Sequence, residues 1–115
     1  MPPAKKPATA KHRHSVYVIE LDDKALNHRR FREANPAYDP TKPCLYVGCT
    51  GLKVEQRFAN HKRGYKGNRF VQQYGIRLRP DLYAFFNPMP YQAALTMERE
   101  LAEELRLKGY AVWQA

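Results

Sequence analysis

One stretch, residues 44–64, constrains the fold most, because a strand pattern passes directly into a helix pattern. Cys44–Val47 is a short apolar run rich in strand formers, and Gly48 interrupts it. A helical spacing follows, and Gly64 is placed to end that helix. The residues that share one face of the predicted helix are Val54, Phe58 and His61.

The same stretch brings together side chains suited to chemistry at a phosphate. Arg57 and His61 are four residues apart, so both project from one side of the predicted helix. The preceding strand delivers Tyr46 to the same turn. A guanidinium binds a phosphate through two donors, and an imidazole transfers a proton near neutral pH.

The order of these residues resembles the signature of the GIY-YIG nuclease family, from about Ser15 to the C-terminus. The matching residues are Ser15-Val16-Tyr17-Val18-Ile19, then Tyr46-Val47-Gly48, Thr50, Arg57 and His61, then Ala94, Glu98 and Leu101. The chain departs from the family in three ways. Ser15 stands where glycine is usual, the tyrosines lie further apart, and one extra residue separates Tyr46 from Arg57.

The resemblance implies a metal-dependent endonuclease that hydrolyses phosphodiester bonds in nucleic acid, with DNA as the expected substrate. The catalytic set that it implies is Tyr17, Tyr46, Arg57, His61 and Glu98. One divalent cation, Mg²⁺ or Mn²⁺, would be held by Glu98 and mostly by water. Tyr17 would take a proton from the attacking water, for which its pKa must fall.

The resemblance also implies supporting roles for the other matched residues. Arg57 would stabilise charge on the phosphoryl oxygens, while Tyr46 and His61 would orient water or relay the proton. Gly48 and Thr50 would help to position the substrate. Family members often add a late asparagine, and Gln114 is the only amide that follows Glu98 in this chain.

The residues around Glu98 indicate by themselves that its carboxylate is special. Pro90 and Gly109 mark the ends of a predicted helix, and Glu98 lies in the middle of its apolar stripe. That stripe consists of Ala94, Leu101 and Leu105. A carboxylate on a core-facing stripe needs a partner, which is either a buried arginine such as Arg57 or a metal ion. The family resemblance favours the metal.

Charge is concentrated in parts of the chain that are candidates for binding nucleic acid. The net charge is +9, which favours an acidic polymer as partner. Residues 57–79 hold seven positive side chains and no acid, with aromatic residues between them. The alternative is that these charged residues form a solvated face that binds nothing. The candidate nucleic-acid-binding residues are Lys62, Arg63, Lys66 and Arg69, with Arg29 and Arg30 on a helix predicted over Lys24–Ala34.

The chain divides into a basic tail, residues 1–14, and a domain, residues 15–115, with an insertion at 22–43. The tail is expected to be disordered, and it is either an arm that follows phosphates or a leader without a role. The insertion either contacts substrate or is a surface excursion. The local predictions are a short helix from Asn68 to Tyr74, a third strand within Ile76–Phe86 that is best placed over Leu82–Phe86, and a strand or packed tail over Tyr110–Trp113.

We therefore predict an α+β domain in which helices flank a three-stranded, mainly antiparallel sheet. Cys44 and Cys49 are expected to point to opposite faces of one strand, so neither a disulfide nor a zinc site is predicted. No secretory signal or membrane-spanning run is visible, so a soluble, cytoplasmic protein without a membrane partner is expected. The sequence leaves open a protein partner, the oligomeric state, and the choice between DNA and RNA.

Two other functions compete with the nuclease. The fold could serve as a nucleic-acid-binding module that does not cut, which the serine at position 15 and the missing asparagine leave possible. The chain could also be a small basic structural protein associated with RNA. That last function would give Glu98 no role.

Overall fold

Four strands form one mixed sheet in the computed structural model of the chain, which describes residues 12–115. The strands are β1 (Ser15–Leu21), β2 (Cys44–Thr50), β3 (Gly75–Leu78) and β4 (Ala111–Gln114). Their order across the sheet is β3-β1-β2-β4. β1 is antiparallel to β2 and β3, whereas β4 runs parallel to β2. The predicted α+β class is confirmed, but the three-stranded antiparallel sheet is wrong because β4 adds a parallel fourth strand.

Helices and short 3₁₀ turns connect the strands. The helices are α1 (Arg29–Ala34), α2 (Val54–Lys62), α3 (Arg69–Tyr74) and α4 (Tyr91–Leu107). The 3₁₀ turns are Asp23–Asn27, Pro80–Leu82 and Ala84–Phe86. Asn68 caps α3, as predicted, because its side-chain oxygen accepts a hydrogen bond from the Phe70 amide at 2.8 Å.

The third strand overlaps the start of the predicted range, Ile76–Phe86, but the favoured position over Leu82–Phe86 is wrong. That apolar segment is folded into 3₁₀ turns, which begin at Pro80, where no amide hydrogen is available for a strand ladder. The third strand lies earlier, at Gly75–Leu78, where Leu78 pairs with Ile19 of β1. Leu82–Phe86 has the composition of a strand, but the turns that begin at Pro80 determine its backbone conformation.

Two predicted boundaries also move. The helix predicted over Lys24–Ala34 is interrupted at His28, whose extended backbone (φ −86°, ψ 122°) separates a 3₁₀ turn from α1. The second strand does not break at Gly48 but continues through it to Thr50. Gly48 pairs there with Tyr17, so this glycine serves the sheet rather than a turn.

The two faces of the sheet meet different helices. Tyr17 and Tyr46 contact His61 of α2, and Trp113 contacts Phe70 of α3, so α2 and α3 cover this face. Successive side chains of a strand point to opposite faces, and the residue after Trp113 therefore faces α4. The core contains the interior residues of β1 and β2, several of which are fully buried. Those residues include Val16, Val18, Ile19, Leu45 and Val47.

Two asparagine side chains pair with strand backbone at positions without a neighbouring strand. Asn35 donates from Nδ2 to the Val112 carbonyl at 3.1 Å and accepts from the Val112 amide at 2.8 Å. Asn87 does the same with Val16, donating to its carbonyl at 2.8 Å and accepting from its amide at 2.9 Å. Each amide side chain thus reproduces the two hydrogen bonds that another strand would make.

The remaining expectations about the chain ends and cysteines have mixed outcomes. Most of the predicted tail lies outside the described residues, but His14 exchanges two backbone hydrogen bonds with Met89, so the fold includes this residue. Cys44 and Cys49 are both free thiols, as predicted. No helix within residues 12–115 is long and apolar enough to cross a membrane.

Candidate active site

Three aromatic rings from β1, β2 and α2 form the centre of the candidate site. The ring centroids of Tyr17 and Tyr46 are 6.2 Å apart, and that of His61 lies 6.0 Å from Tyr17 and 5.5 Å from Tyr46. All three residues are buried, and His61 is completely inaccessible to solvent. These three predicted site residues lie together because β1 pairs with β2 and because α2 packs on the sheet face that carries both tyrosines.

The hydrogen bonds of His61 fix which ring nitrogen carries the proton. Its Nδ1 accepts a hydrogen bond from the backbone amide of Asn68 at 2.9 Å. A neutral imidazole has one protonated nitrogen, so the proton is on Nε2. Nε2 lies 2.8 Å from Tyr17 Oη. His61 therefore donates to the phenol oxygen, and the Tyr17 hydroxyl proton remains available for another acceptor.

His61 is also held in its neutral form. Burial, the larger cause, and the nearby charge of Arg57 together lower the pKa of His61 from 6.5 to about 4. The Asn68 amide opposes protonation as well, because it occupies the only free lone pair of the ring. At neutral pH the residue is a hydrogen-bond donor without charge.

The two tyrosines lie in an environment that favours the neutral phenol. Burial raises the pKa of Tyr17, and the nearby positive charge of Arg57 opposes this rise. Burial raises the pKa of Tyr46 even more strongly, with a further rise from Tyr17 and an opposing effect of Arg57. The positive charge of Arg57 thus influences the pKa of all three rings.

Two glycines allow the rings to pack this closely. A Cβ on Gly48 would lie 2.7 Å from Tyr17 Oη and 2.8 Å from Tyr17 Cζ, so the phenol lies directly over the glycine. A Cβ on Gly67 would lie 2.7 Å from the Cα of His61. Gly48 was predicted as a positioning residue through the family resemblance. Gly67 was not predicted.

Glu98 belongs to a second group of polar side chains, which meets the sheet through Gln114 on the face that α4 covers. It is only 7% exposed, and its Oε2 accepts a hydrogen bond from Gln114 Nε2 at 3.1 Å. Burial, the larger cause, and the Glu98 carboxylate together raise the pKa of the Cys49 thiol to about 11. The same carboxylate contributes to the raised pKa of Tyr46, which links the second group to the first. The structure thus brings Gln114 to Glu98, and Glu98 within electrostatic range of Tyr46.

The alternative of an ion pair between Glu98 and Arg57 is not realised. None of the salt bridges among residues 12–115 includes either residue. The same range holds no group of three or more His, Cys, Asp or Glu side chains that could enclose a metal. A single buried carboxylate with an amide beside it still fits a Mg²⁺ ion, because that ion keeps most of its water and often takes only one or two carboxylates.

Some of the other predicted residues have roles in the fold. Thr50 Oγ1 accepts from the Leu52 amide at 3.0 Å and thereby holds the turn before α2. Lys62 donates from Nζ to the carbonyls of Gly75 at 2.8 Å and Gln72 at 3.3 Å, which ties α2 to the end of α3. Arg63 donates to Asn60 Oδ1 at 2.8 Å.

Some of the positive side chains in residues 57–79 are paired with acidic residues, so fewer are left to bind nucleic acid than the sequence indicated. Arg77 and Arg79 form ion pairs with Glu20, and Arg79 also pairs with Asp81. Lys66, in the loop between α2 and α3, and Arg69, the first residue of α3, remain exposed. On α1, Arg30 is exposed, while Arg29 pairs with Glu33 at 2.8 Å with both side chains largely in solvent.

The sequence did not predict two groups that position His61. They are the backbone N–H of Asn68, which binds the ring, and Gly67, whose lack of a side chain lets the loop pass close to the His61 backbone. Asn68 was identified as the cap of α3, and it fills that role, but its amide also fixes the tautomer of His61. The only sign of these two groups in the sequence is the Gly67-Asn68 pair before a helix. That pair does not indicate a contact with His61 on the preceding helix.

A search among protein-family models, curated proteins and solved structures found no match to this chain.

Proposed function

We propose that the chain is a metal-dependent nuclease of the GIY-YIG type, which hydrolyses phosphodiester bonds in nucleic acid, with DNA as the expected substrate. The observation that carries the proposal is the buried contact of Tyr17 with His61, next to Tyr46 and Arg57. A structural core tyrosine needs one partner for its hydroxyl. This phenol accepts a hydrogen bond from an uncharged donor, and the positive charge of Arg57 also favours its ionised form.

Tyr17 would take the proton from the attacking water as a phenolate, which first forms by loss of the hydroxyl proton to solvent. Burial opposes the required phenolate, since it favours the neutral form. The Nε2–H of His61 and the guanidinium of Arg57 both interact more strongly with a phenolate than with a phenol, so they lower the energy of the reactive form. His61 acts here by donating a hydrogen bond, and it does not need to relay a proton.

Arg57 and Glu98 serve the phosphate in this proposal. Arg57 would share its donors between the Tyr17 oxygen and a phosphoryl oxygen that gains charge in the transition state. Glu98, held by Gln114, would be the protein ligand of one Mg²⁺ or Mn²⁺ ion. When bound, such an ion supplies charge neutralisation at the scissile phosphate and at the departing oxygen.

The test compares Glu98→Gln with Glu100→Gln, which removes the same charge from an exposed position on the same helix. Both variants are incubated with plasmid DNA and with single- and double-stranded oligonucleotides in Mg²⁺ or Mn²⁺. We expect Glu98→Gln to lower the single-turnover rate by about 100-fold or more and Glu100→Gln to leave it unchanged. Equal rates in the two variants would remove Glu98 from the mechanism.

A nucleic-acid-binding module without cleavage is the second candidate, and one observation favours it. Burial raises the pKa values of both tyrosines, which is the direction opposite to that of an efficient base. If wild-type protein binds oligonucleotides but cuts none of them with either metal ion, this candidate replaces the nuclease. A binding measurement in EDTA, run beside the cleavage assay, distinguishes the two outcomes.

A further inference from the structure

A groove lined by aromatic and basic side chains runs between α1 and α3. It consists of two cavities of about 420 Å³ and about 290 Å³, which share His28 and Phe70 in their walls. We call it the aromatic groove. Trp113 lines the larger cavity, and Tyr74 lines the smaller one. The larger cavity is within the range of sites that accept a small planar ligand.

The aromatic rings of the groove are partly exposed. Phe70 lies at the centre, with the rings of His28 and Trp113 each 5.0 Å away by centroid distance. His28 is in turn fixed by a hydrogen bond of 2.8 Å with the Tyr74 hydroxyl. Phe70, Trp113 and Tyr74 are only half-buried, so part of each remains accessible. Such surfaces are platforms on which a nucleobase stacks.

The rim of the groove is cationic. Arg29 and Arg30 border the larger cavity and Arg69 the smaller one, and neither cavity has an acidic residue in its wall. The pair between Arg29 and Glu33 leaves the arginine side chain 82% exposed. Aromatic surfaces within a cationic rim match the chemistry of single-stranded nucleic acid, which presents bases and phosphates together.

The groove is next to the tyrosines of the candidate site. Trp113 of β4 pairs directly with Tyr46 of β2, and neighbouring strands lie about 4.8 Å apart. A strand of nucleic acid that places one base in the groove therefore has its neighbouring phosphates close to the tyrosine cluster.

We propose that the aromatic groove binds an unpaired nucleotide, with its base against Phe70 and Trp113 and its phosphates against the arginines. The inference rests on the proposed function and specifies its substrate class: nucleic acid with a single-stranded segment, such as an overhang, flap or gap. A continuous duplex keeps its bases stacked and offers none to the groove.

Trp113 is the only tryptophan of the chain and gives a direct readout. Its fluorescence is titrated in EDTA with a single-stranded DNA, with an RNA of the same base sequence, and with the matching duplex. We expect at least one single strand to quench Trp113 and to bind at least 10-fold more tightly than the duplex. Equal binding of strand and duplex, or saturation without a change in emission, overturns the proposal.

Phe70→Leu removes the stacking surface and has a matched control in Phe85→Leu, because Phe85 is 74% exposed and lines neither cavity of the groove. Loss of one stacked base is expected to weaken single-strand binding by about 10- to 100-fold, with Phe85→Leu unchanged. Circular dichroism establishes that each variant is folded. Equal affinities of the two variants overturn the assignment of the base to Phe70.

The rim provides a second test that leaves the apolar packing intact. Arg30→Gln with Arg69→Gln is compared with Arg99→Gln and Lys108→Gln, two exposed positive residues on or next to α4. Both double variants lose two charges, but only the first should lose its preference for single strands over duplex.

Failure of the nuclease proposal has a different signature: the preference for single strands persists while no substrate is cut. Cleavage of duplex without strand preference instead rejects the groove and retains the nuclease.

Discussion

The neutral state of His61 has a consequence for the pH dependence of stability. The folded chain holds the pKa of His61 at about 4, compared with an ordinary value of 6.5. Between these values the unfolded chain binds a proton that the folded chain does not, so stability falls as the pH decreases. The contribution is complete above about pH 6.5 and is lost progressively towards pH 4, with a full span of roughly 3 kcal/mol.

We expect His61→Gln to show a smaller acid destabilisation than wild-type protein. Urea unfolding at about pH 7 and about pH 4.5 gives the free energy of unfolding at both values. The decrease should be roughly 2 kcal/mol smaller in His61→Gln, since acidic groups contribute equally to both chains. His28→Gln, at an exposed histidine, should behave like wild type. An unchanged decrease in His61→Gln would mean that this imidazole is not held neutral.

Gly48 leads to a prediction about activity. The methyl group of Gly48→Ala would collide with the hydroxyl end of Tyr17, which must move or force β1 and β2 apart. Overpacking of this kind costs about 1–3 kcal/mol of stability, and a displaced Tyr17 should reduce single-turnover cleavage at least about 10-fold. Gly51→Ala is the control, because its methyl group would meet only the His14 ring at 3.2 Å or more. Equal rates would show that the Tyr17 position is unimportant.

The sequence predicted part of the arrangement around Tyr17 and His61 but not all of it. The four-residue spacing placed Arg57 and His61 on one side of a helix, and both do act on Tyr17. The tautomer of His61 depends instead on the Asn68 amide, seven residues further along the chain in an irregular loop. Backbone donors carry no residue-type signal, which is why this group could not be predicted.

At the level of elements, the predictions that held were those with strong local determinants. The apolar, β-branched run of β1 and the Pro-to-Gly limits of α4 both formed as expected. The third strand failed because Leu82–Phe86 has strand composition but follows Pro80. β4 was predicted only as a strand or packed tail, since parallel pairing with a strand more than 60 residues earlier leaves no local trace.

Lys62 is expected to affect stability more than affinity for nucleic acid. Its ammonium group binds carbonyls at the end of α3, where a positive charge also suits the helix dipole. Lys62→Ala should lower the free energy of unfolding by about 1 kcal/mol. Lys66→Ala, four residues later and without a hydrogen bond of its side chain to the described residues, should leave it within about 0.5 kcal/mol. Thermal unfolding of both variants measures the difference, and equal values would contradict it.

At the scale of the whole molecule, the net charge of +9 is distributed unevenly. Ion pairs with Glu20 and Asp81 occupy Arg77 and Arg79 near β3. Lys66, in the loop before α3, and Arg69, at the start of α3, have no such pairs among the described residues. The face that meets phosphates should therefore include the α2–α3 side and exclude the outer edge of β3.

Salt titrations of binding test this division of charge. Lys66→Gln and Arg69→Gln should each lower the slope of log affinity against log salt by about one unit. Arg77→Gln removes the same charge next to Glu20 and should leave the slope unchanged. A reduced slope in Arg77→Gln equal to that in Arg69→Gln would place the outer edge of β3 on the nucleic acid.

The two asparagine side chains that pair with strand backbone bear on how the protein behaves at high concentration. An open strand edge is a template for another chain, and aggregation often starts there. Asn35 occupies both backbone groups of Val112 on β4, and Asn87 occupies those of Val16 on β1. Asn35→Leu should therefore convert a protected edge into a self-association site, visible as a concentration-dependent increase in light scattering. Asn27→Leu, at an exposed asparagine, should scatter like wild type. Two polar side chains would thus protect the β4 edge and the start of β1 from pairing with another chain.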